Sequence, residues 1–423
     1  GCLRGGMNCE TKHALHCAAL LSWIGLFAYL TGAITPETQL IEPFERYGYV
    51  GTVILYLLRA LSLLVLPQCL CNLLGLTLFN AFREKVALKA APLLAPFICF
   101  RVVTKGLYPR LVKDNLVLNM EACAKAGMEN FMFEVVTDNR LNLPARPRVR
   151  EIVVPSTYET KSGARFKARA LQYCLEEDVN RLQDTDWIVH LDEETLLTIN
   201  SICGILNFCE DGRHQFGQGV ITYANGEIVN WLTTLSDSFR VADDMGKLRA
   251  QLKLFHKPLF GWKGSFVVTQ FSAEKKKSPF TMSDFLQQRK RWLQGILLTV
   301  QSPKIDAAQK TLLALSLYAW TTMPVTSLQL FLCPLFPLPK CLPIDVTIAF
   351  IAAINLYMYL FGVVKSFSHR YRKNMWRLVL YTLGACIAIP FNIAIENLAV
   401  VVGLWGDKRQ FFIVQKEREA IVV

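Results

Sequence analysis

Residues 14–34 form an apolar run about as long as a helix needs to cross a bilayer, and a second run covers residues 50–78, interrupted by Arg59 and Pro67. Two such runs close together predict a membrane anchor rather than a cleaved signal peptide. Apolar segments return at 312–336, 344–364 and 378–405. Within them lie Pro324, Pro390, Asn392, Glu396 and Asn397, and polar groups at that depth normally face protein or water. The stretch between, 79–310, alternates short apolar runs with polar helical patterns and contains no uncharged span. It reads as a soluble domain of about 230 residues. The expected organisation is a tail over 1–13, two transmembrane helices over 14–78, the soluble domain over 79–310 with an interfacial helix near 281–300, a membrane region over 311–406 and a tail over 407–423. Residues 1–6, ahead of Met7, are expected to be no part of the fold.

A chain that is 52% hydrophobic and only 19% charged is neither purely soluble nor disordered. Its net charge of +12 suits anionic lipid headgroups, phosphorylated substrates or nucleic acid, and does not choose among them. The loop 35–49 carries Glu37, Glu42 and Glu45 against Arg46, whereas 365–377 holds five Lys or Arg and no acid. By the positive-inside rule the acidic loop is lumenal or external and the soluble domain cytosolic. Three clean spans after the domain put the basic tail on the lumenal side; a last segment broken at Pro390 and Asn392 returns it to the cytosol. Of the thirteen cysteines, Cys17, Cys69, Cys71, Cys333 and Cys386 sit in apolar runs, which reads as mostly buried thiols. The scattered histidines offer no structural zinc site.

Within the central domain, strands are expected at 96–103, 131–136, 149–154, 187–191, 219–223 and 264–269, with helices such as 164–177 and 195–209 between them. This alternation predicts an α/β domain with a largely parallel sheet, whose ligands gather beyond the carboxyl ends of the strands. The strand 187–191 runs into Asp192-Glu193-Glu194-Thr195, so three carboxylates emerge at that edge. Hard oxygen ligands there suit Mg²⁺ or Mn²⁺ bridging a diphosphate. The plainer alternative is an acidic first turn of the next helix.

The strand 131–136 ends in Thr137-Asp138-Asn139, a carboxylate able to accept hydrogen bonds from a nucleobase or ribose, or an ordinary Asp-Asn turn. Lys167, on a basic helix, offers charge to phosphates or belongs to a solvated face. The most specific element is Gln288-Arg289-Lys290-Arg291-Trp292. Arginine holds a leaving diphosphate bidentately and an indole stacks on a sugar ring. The same residues also suit an interfacial helix with snorkelling Arg.

Asp138, the cluster of Asp192 and Glu194, and a Gln-x-x-Arg-Trp box, in that order beside a membrane, resemble the inverting family 2 glycosyltransferases. The similarity runs over nearly the whole chain, through 187–197, 223–234, 243–249 and 278–296. It implies a GT-A-like (Rossmann-like) α/β catalytic domain facing the cytosol, flanked on both sides by transmembrane helices of the Golgi or endoplasmic reticulum. The implied activity is that of a β-1,4-mannosyltransferase of glycosphingolipid synthesis, moving mannose from GDP-mannose to glucosylceramide with inversion. By the same resemblance Thr104, Asp138, Lys167 and Asp192 bind the donor, Asp138 at its guanosine. Asp192 and Glu194 hold Mn²⁺ or Mg²⁺ with the diphosphate. Gln288, Arg291 and Trp292 are catalytic, closing over diphosphate and acceptor, and Trp262, Lys263 and Gly264 lie at the acceptor.

One part of the family pattern is missing. A single displacement needs a carboxylate to take the acceptor's proton. The family supplies it from a Glu-Asp pair between the last strand and the Gln-x-x-Arg-Trp box, whereas here Phe271-Ser272-Ala273-Glu274-Lys275-Lys276-Lys277 leads directly to Ser278-Pro279-Phe280. A few dozen residues are absent relative to the family, so either the sequence records part of a longer protein or this variant lacks its base. Glu274 and Asp284 are the carboxylates left in the interval; three adjacent lysines are expected to make Glu274 a poor base. Alternatives are a ceramide glucosyltransferase, a processive polysaccharide synthase, a channel or transporter, and an inert nucleotide- or lipid-binding homologue.

Overall fold

The computed structural model describes residues 8–37, 40–82, 85–93, 95–160, 166–221, 231–261, 263–274, 293, 296, 297, 299–301, 306–367 and 375–405. In chain order the elements are α1 (Cys9–Leu30), α2 (Pro43–Leu61), a 3-10 turn (Ser62–Val65), α3 (Leu66–Leu78), β1 (Ile98–Thr104), α4 (Pro109–Lys125), β2 (Phe131–Thr137), β3 (Val149–Val153), α5 (Phe166–Tyr173), β4 (Trp187–Asp192), α6 (Ile199–Asp211), β5 (Phe216–Gln218), α7 (Trp231–Asp243), a π-helical turn (Asp244–Leu248), α8 (Arg249–Leu254), β6 (Val267–Gln270), α9 (Phe271–Glu274), α10 (Ala307–Thr321), α11 (Met323–Leu335), α12 (Leu342–Phe367) and α13 (Met375–Trp405). They fall into two compact units, one built on a sheet and one wholly helical.

In the sheet unit the strand order is β3-β2-β1-β4-β6-β5. β3, β2, β1 and β4 run parallel, while β6 is antiparallel to β4 and β5. The sheet is thus mixed, with two antiparallel strands at one edge, and its helices fit a GT-A-like domain. Strand order reverses between β1 and β4, so their carboxyl ends form the topological switch point where open α/β sheets bind ligands. Alternation sorts the faces: Ile98, Phe100, Val102, Phe133, Val135, Val189 and Leu191 pack with Val112 and Leu116 of α4 and with Ile202 and Leu206 of α6. On the other face Val103, Val136 and Ile152 meet Ala170 and Cys174. Burial pushes the Cys174 thiol up to about 11 and the Cys123 thiol up to about 12, which leaves both as inert core groups.

The parallel strands lie within two residues of their expected places; the antiparallel pair does not. β5 is Phe216–Gln218 rather than 219–223, of which 222 and 223 lie outside the described residues. β6 starts at Val267 rather than 264. The cause is Phe266, whose φ of 56° breaks the extended run, and whose ring lies where a Cβ on Gly219 would sit, 2.2 Å from Phe266 Cδ1. A glycine is therefore required at 219 for the ring to cover the backbone.

In the helical unit, Cys9–Leu30, Pro43–Leu78, Leu342–Phe367 and Met375–Leu404 are long and apolar enough to cross a membrane. Residues 312–336, expected as one apolar segment, form two short helices: Pro324 sits in the first turn of α11, where it cannot continue the ladder of α10. Pro390 does not break α13, which runs through it for 31 residues. At one end of the unit Lys340 Nζ donates to the carbonyls of Gly32 (2.8 Å) and Thr35 (2.7 Å); at the other, Lys365 Nζ donates to Ala81 O at 2.5 Å. The turn Asp244–Leu248 crosses α3 at a glycine pair, where a Cβ on Gly75 would stand 1.9 Å from Gly246 O. Cys69 and Cys71 are buried as expected, but Cys17 is half-buried and Cys333 and Cys386 are exposed on their helices, because those positions face away from the helix bundle.

Candidate functional site

β4 delivers its acids into a turn. The Thr195 N–H closes on the Asp192 carbonyl at 3.0 Å, and α6 begins only at Ile199, capped by Thr198 and Ser201 reciprocally. The acids at 192–194 are therefore not the first turn of a helix, and the dipole explanation for them falls. Strand alternation sends Asp192 and Glu193 to opposite faces. On the α4 face the buried Thr104 hydroxyl donates to the Glu193 carboxylate and accepts the Gly106 N–H at 2.9 Å. Asn115 and Asn119 of α4 donate to the carbonyls of Glu193 (2.9 Å) and Thr195 (3.0 Å). Thr104 thus braces the acidic turn from beneath.

On the other face Asp192 Oδ1 meets Lys167 Nζ at 2.6 Å, and the same ammonium donates to Gly264 O at 2.9 Å. Ser265 Oγ accepts the Asp192 N–H at 3.0 Å. One lysine therefore joins the first turn of α5, the end of β4 and the segment leading to β6. The Asp192 side chain stays 36% exposed, against 11% for Lys167, so the carboxylate retains an open side. Gln218 accepts the Lys263 N–H at 3.1 Å and donates to Ser265 O at 2.8 Å, fixing the rim around 263–265.

Asp138 follows β2 and is held by Arg169 at 2.9 Å; Arg169 also donates to Tyr158 O at 2.9 Å. The neighbouring loop is closed by Gly106, at φ +77°, where a Cβ would lie 2.5 Å from Asn139 O. Beyond β2 and β3, Arg140, Asn142, Leu143, Glu151 and Val153 line an open cleft of about 340 Å³. Asp192, Lys167 and Gly264 are brought together; Trp262, Gln288, Arg291, Trp292 and Asp284 lie outside the described residues. Among the described residues no three His, Cys, Asp or Glu side chains gather as a metal cage. By chemistry, carboxylates such as those of Asp192 and Glu194 are the ligand type of Mg²⁺ or Mn²⁺, ions that use one or two carboxylates and take remaining ligands from phosphates and water.

The sequence reading missed a buried row of charge on the α5 face. Arg150, Glu134, Arg101 and His190 stand directly opposite one another across β3, β2, β1 and β4. Arg101 Nε and Nη2 donate to Glu134 Oε2 at 3.0 and 2.8 Å, and Arg150 Nη1 donates to Glu134 Oε1 at 3.2 Å. Glu274 of α9 ends the row, 2.8 Å from His190 Nε2 and 3.6 Å from Arg101 Nη1. Burial pushes the Glu274 carboxyl up, but His190 and Arg101 outweigh it and hold the group below its ordinary value of 4.5. Glu274 is thus a poor base, being buried and paired; Lys275, Lys276 and Lys277 lie outside the described residues. The signal was one ionisable residue in the middle of each of the apolar strands β1, β2 and β4, at one parity.

Residues 187–276 and 270–365 match glycosyl transferase family group 2. β-1,4-Mannosyltransferase bre-3 of Caenorhabditis elegans is 66% identical over 455 residues, covering 98% of this chain and 100% of that protein. β-1,4-Mannosyltransferase egh of Drosophila melanogaster is 54% identical over 451 residues, covering 97% of this chain and 98% of that protein. Because 98% of 423 residues is about 415, about 40 of the 455 aligned positions have no counterpart here. The two stretches matched to the family meet at 270–276, the interval in which the Glu-Asp pair is missing.

Proposed function

The chain belongs to glycosyl transferase family group 2, and on that premise we propose that it is a β-1,4-mannosyltransferase, carrying mannose from GDP-mannose to the 4-hydroxyl of glucosylceramide with inversion. The observation that carries this reading is the 66% identity to a β-1,4-mannosyltransferase over that protein's full length. The apolar helices support a lipid acceptor. The acidic loop near Lys340 is lumenal, the end where Lys365 meets Ala81 is cytosolic, and the membrane is that of the Golgi or endoplasmic reticulum.

Asp192 and Glu194 hold Mn²⁺ or Mg²⁺, which when bound stabilises charge on the leaving diphosphate. Asp138 accepts hydrogen bonds from the guanosine. Lys167 adds a cation at the diphosphate, and Thr104 holds the acidic turn in register through Glu193. Trp262, Lys263 and Gly264 orient the acceptor sugar, while Gln288, Arg291 and Trp292 close over both substrates and exclude water. The acceptor proton must pass to a carboxylate within hydrogen-bond reach. Glu274 is not that group, being buried in the row of charge.

That last observation favours a second reading for the chain as it stands: a donor- and acceptor-binding protein whose transfer is slow for want of a base. Purified chain, GDP-mannose, Mn²⁺ and glucosylceramide, with mannolipid as the readout, test both. A version with a relative's segment carrying the Glu-Asp pair inserted between 274 and 278 is expected to form mannolipid at least about 100-fold faster, the usual worth of a general base. If that version makes none while using another nucleotide sugar, the donor assignment is wrong. Asp192→Ala should abolish metal-dependent GDP binding; unchanged binding removes the metal role.

A further inference from the structure

Lys167 Nζ and a divalent cation would share one carboxylate, that of Asp192. The ammonium lies 2.6 Å from Asp192 Oδ1, closer than an ordinary N–H···O contact, and its second hydrogen bond goes to Gly264 O at 2.9 Å. A cation coordinated by the same carboxylate at about 2.1 Å would stand within a few ångströms of Nζ, and the repulsion between a singly and a doubly charged cation at that range is large in a half-buried site. The carboxylate has room for both, but a divalent charge on either oxygen weakens the Lys167 ion pair. Lysine can yield: its charge rides on a flexible four-carbon stem, and two of its three donors are engaged here, one of them on a neutral carbonyl that serves as a pivot. A diphosphate arriving with the cation offers the displaced ammonium new anionic oxygens.

We propose that Lys167 is an exchangeable counter-cation of Asp192: it neutralises the carboxylate, is displaced when a divalent cation binds, and moves to the donor's phosphates, so that cation and nucleoside diphosphate bind cooperatively. The proposal rests on the metal reading of Asp192 given above. Its consequence is an order of preference. The cation alone binds weakly because it must evict an ion pair, and the nucleotide strengthens it by receiving what was evicted; linkage makes the effect reciprocal.

The test is Mn²⁺ binding to the full detergent-solubilised chain, followed by the loss of free Mn²⁺ spin-resonance signal, with and without GDP. For the wild type, GDP is expected to tighten Mn²⁺ at least about tenfold, within the usual range of coupling between sites. Lys167→Met is expected to tighten Mn²⁺ alone about two- to fivefold, the worth of a partly exposed ion pair, and to shrink the effect of GDP to near twofold. Lys167→Arg, which keeps the charge, should leave Mn²⁺ alone within twofold of wild type. An unchanged or weakened Mn²⁺ affinity in Lys167→Met, with its melting midpoint intact, overturns the proposal. So does a wild-type Mn²⁺ affinity indifferent to GDP, a result that does not depend on any variant folding. If Mn²⁺ binds neither wild type nor Lys167→Met at any GDP concentration, the metal reading of Asp192 fails and takes the proposal with it; if Mn²⁺ binds without coupling, only the proposal fails.

Discussion

Replacing Arg101 by Met removes the centre of the buried row while keeping most of the side chain's volume. Arg101 and Glu134 are each 1% exposed, and the pair shares two charge-assisted hydrogen bonds at 3.0 and 2.8 Å. After the change Glu134 keeps Arg150 as its cationic partner among the described residues, and Glu274 keeps His190. Removing one partner of a buried ion pair costs about 3–5 kcal/mol, because the remaining charge is left desolvated. At about 1.36 kcal/mol per tenfold, that is roughly a 150- to 5000-fold rise in the opening constant of the strands.

Native-state hydrogen exchange on the full chain in detergent reads this directly at the amides of β1, β2 and β4, which open as a cooperative set. Arg101→Met combined with Glu134→Leu and Glu274→Leu should recover most of the protection, since apolar residues of similar size replace buried ion pairs at little cost or with a gain. A single Arg101→Met effect below about 1 kcal/mol, the range of a surface pair, would refute the assignment of a desolvated charge row.

Two further outcomes follow from the same face and its loops. The Glu274 carboxyl is held below its ordinary 4.5, so its stabilising share is present above that pH and lost as pH falls through the lower folded value; Glu274→Gln should flatten the acid limb of a stability-versus-pH curve measured by denaturant titration. Gly106→Ala forces a Cβ to 2.5 Å from Asn139 O at φ +77° and should cost about 1–3 kcal/mol, seen as a melting midpoint lower by several degrees.

The parallel half of the sheet was legible because β1, β2 and β4 are apolar on both faces for most of their length, and a strand buried on both sides has few other fates. β5 and β6 were misplaced because a positive φ at Phe266 and a ring over Gly219 are long-range packing events with no local signature. The acidic turn at 192–195 was placed correctly at a strand end, yet its setting was not. Lys167 reaches Asp192 across 25 residues and Gly264 across 97, and pairings of that separation are fixed by topology. The row of charge was visible as Arg101, Glu134 and His190 at matching positions of three apolar strands, but only the register shows that they face one another.

The register also decides what Glu274 can do. It is 6% exposed, bonded to His190 and close to Arg101, so a substrate hydroxyl has no approach to it. A general base for transfer must be reachable and must lose its proton in the working pH range, so the rate rises with pH through the base's pKa. In a chain carrying the relatives' additional residues, Glu274→Gln should therefore lower stability while the pH profile of kcat/KM keeps its rising limb at the same midpoint. The loss of that limb in Glu274→Gln, with protein still folded by hydrogen exchange, would make Glu274 the base and would mean that α9 leaves the sheet during turnover. A retained limb that vanishes when the restored Glu-Asp pair is neutralised instead assigns the proton to that segment.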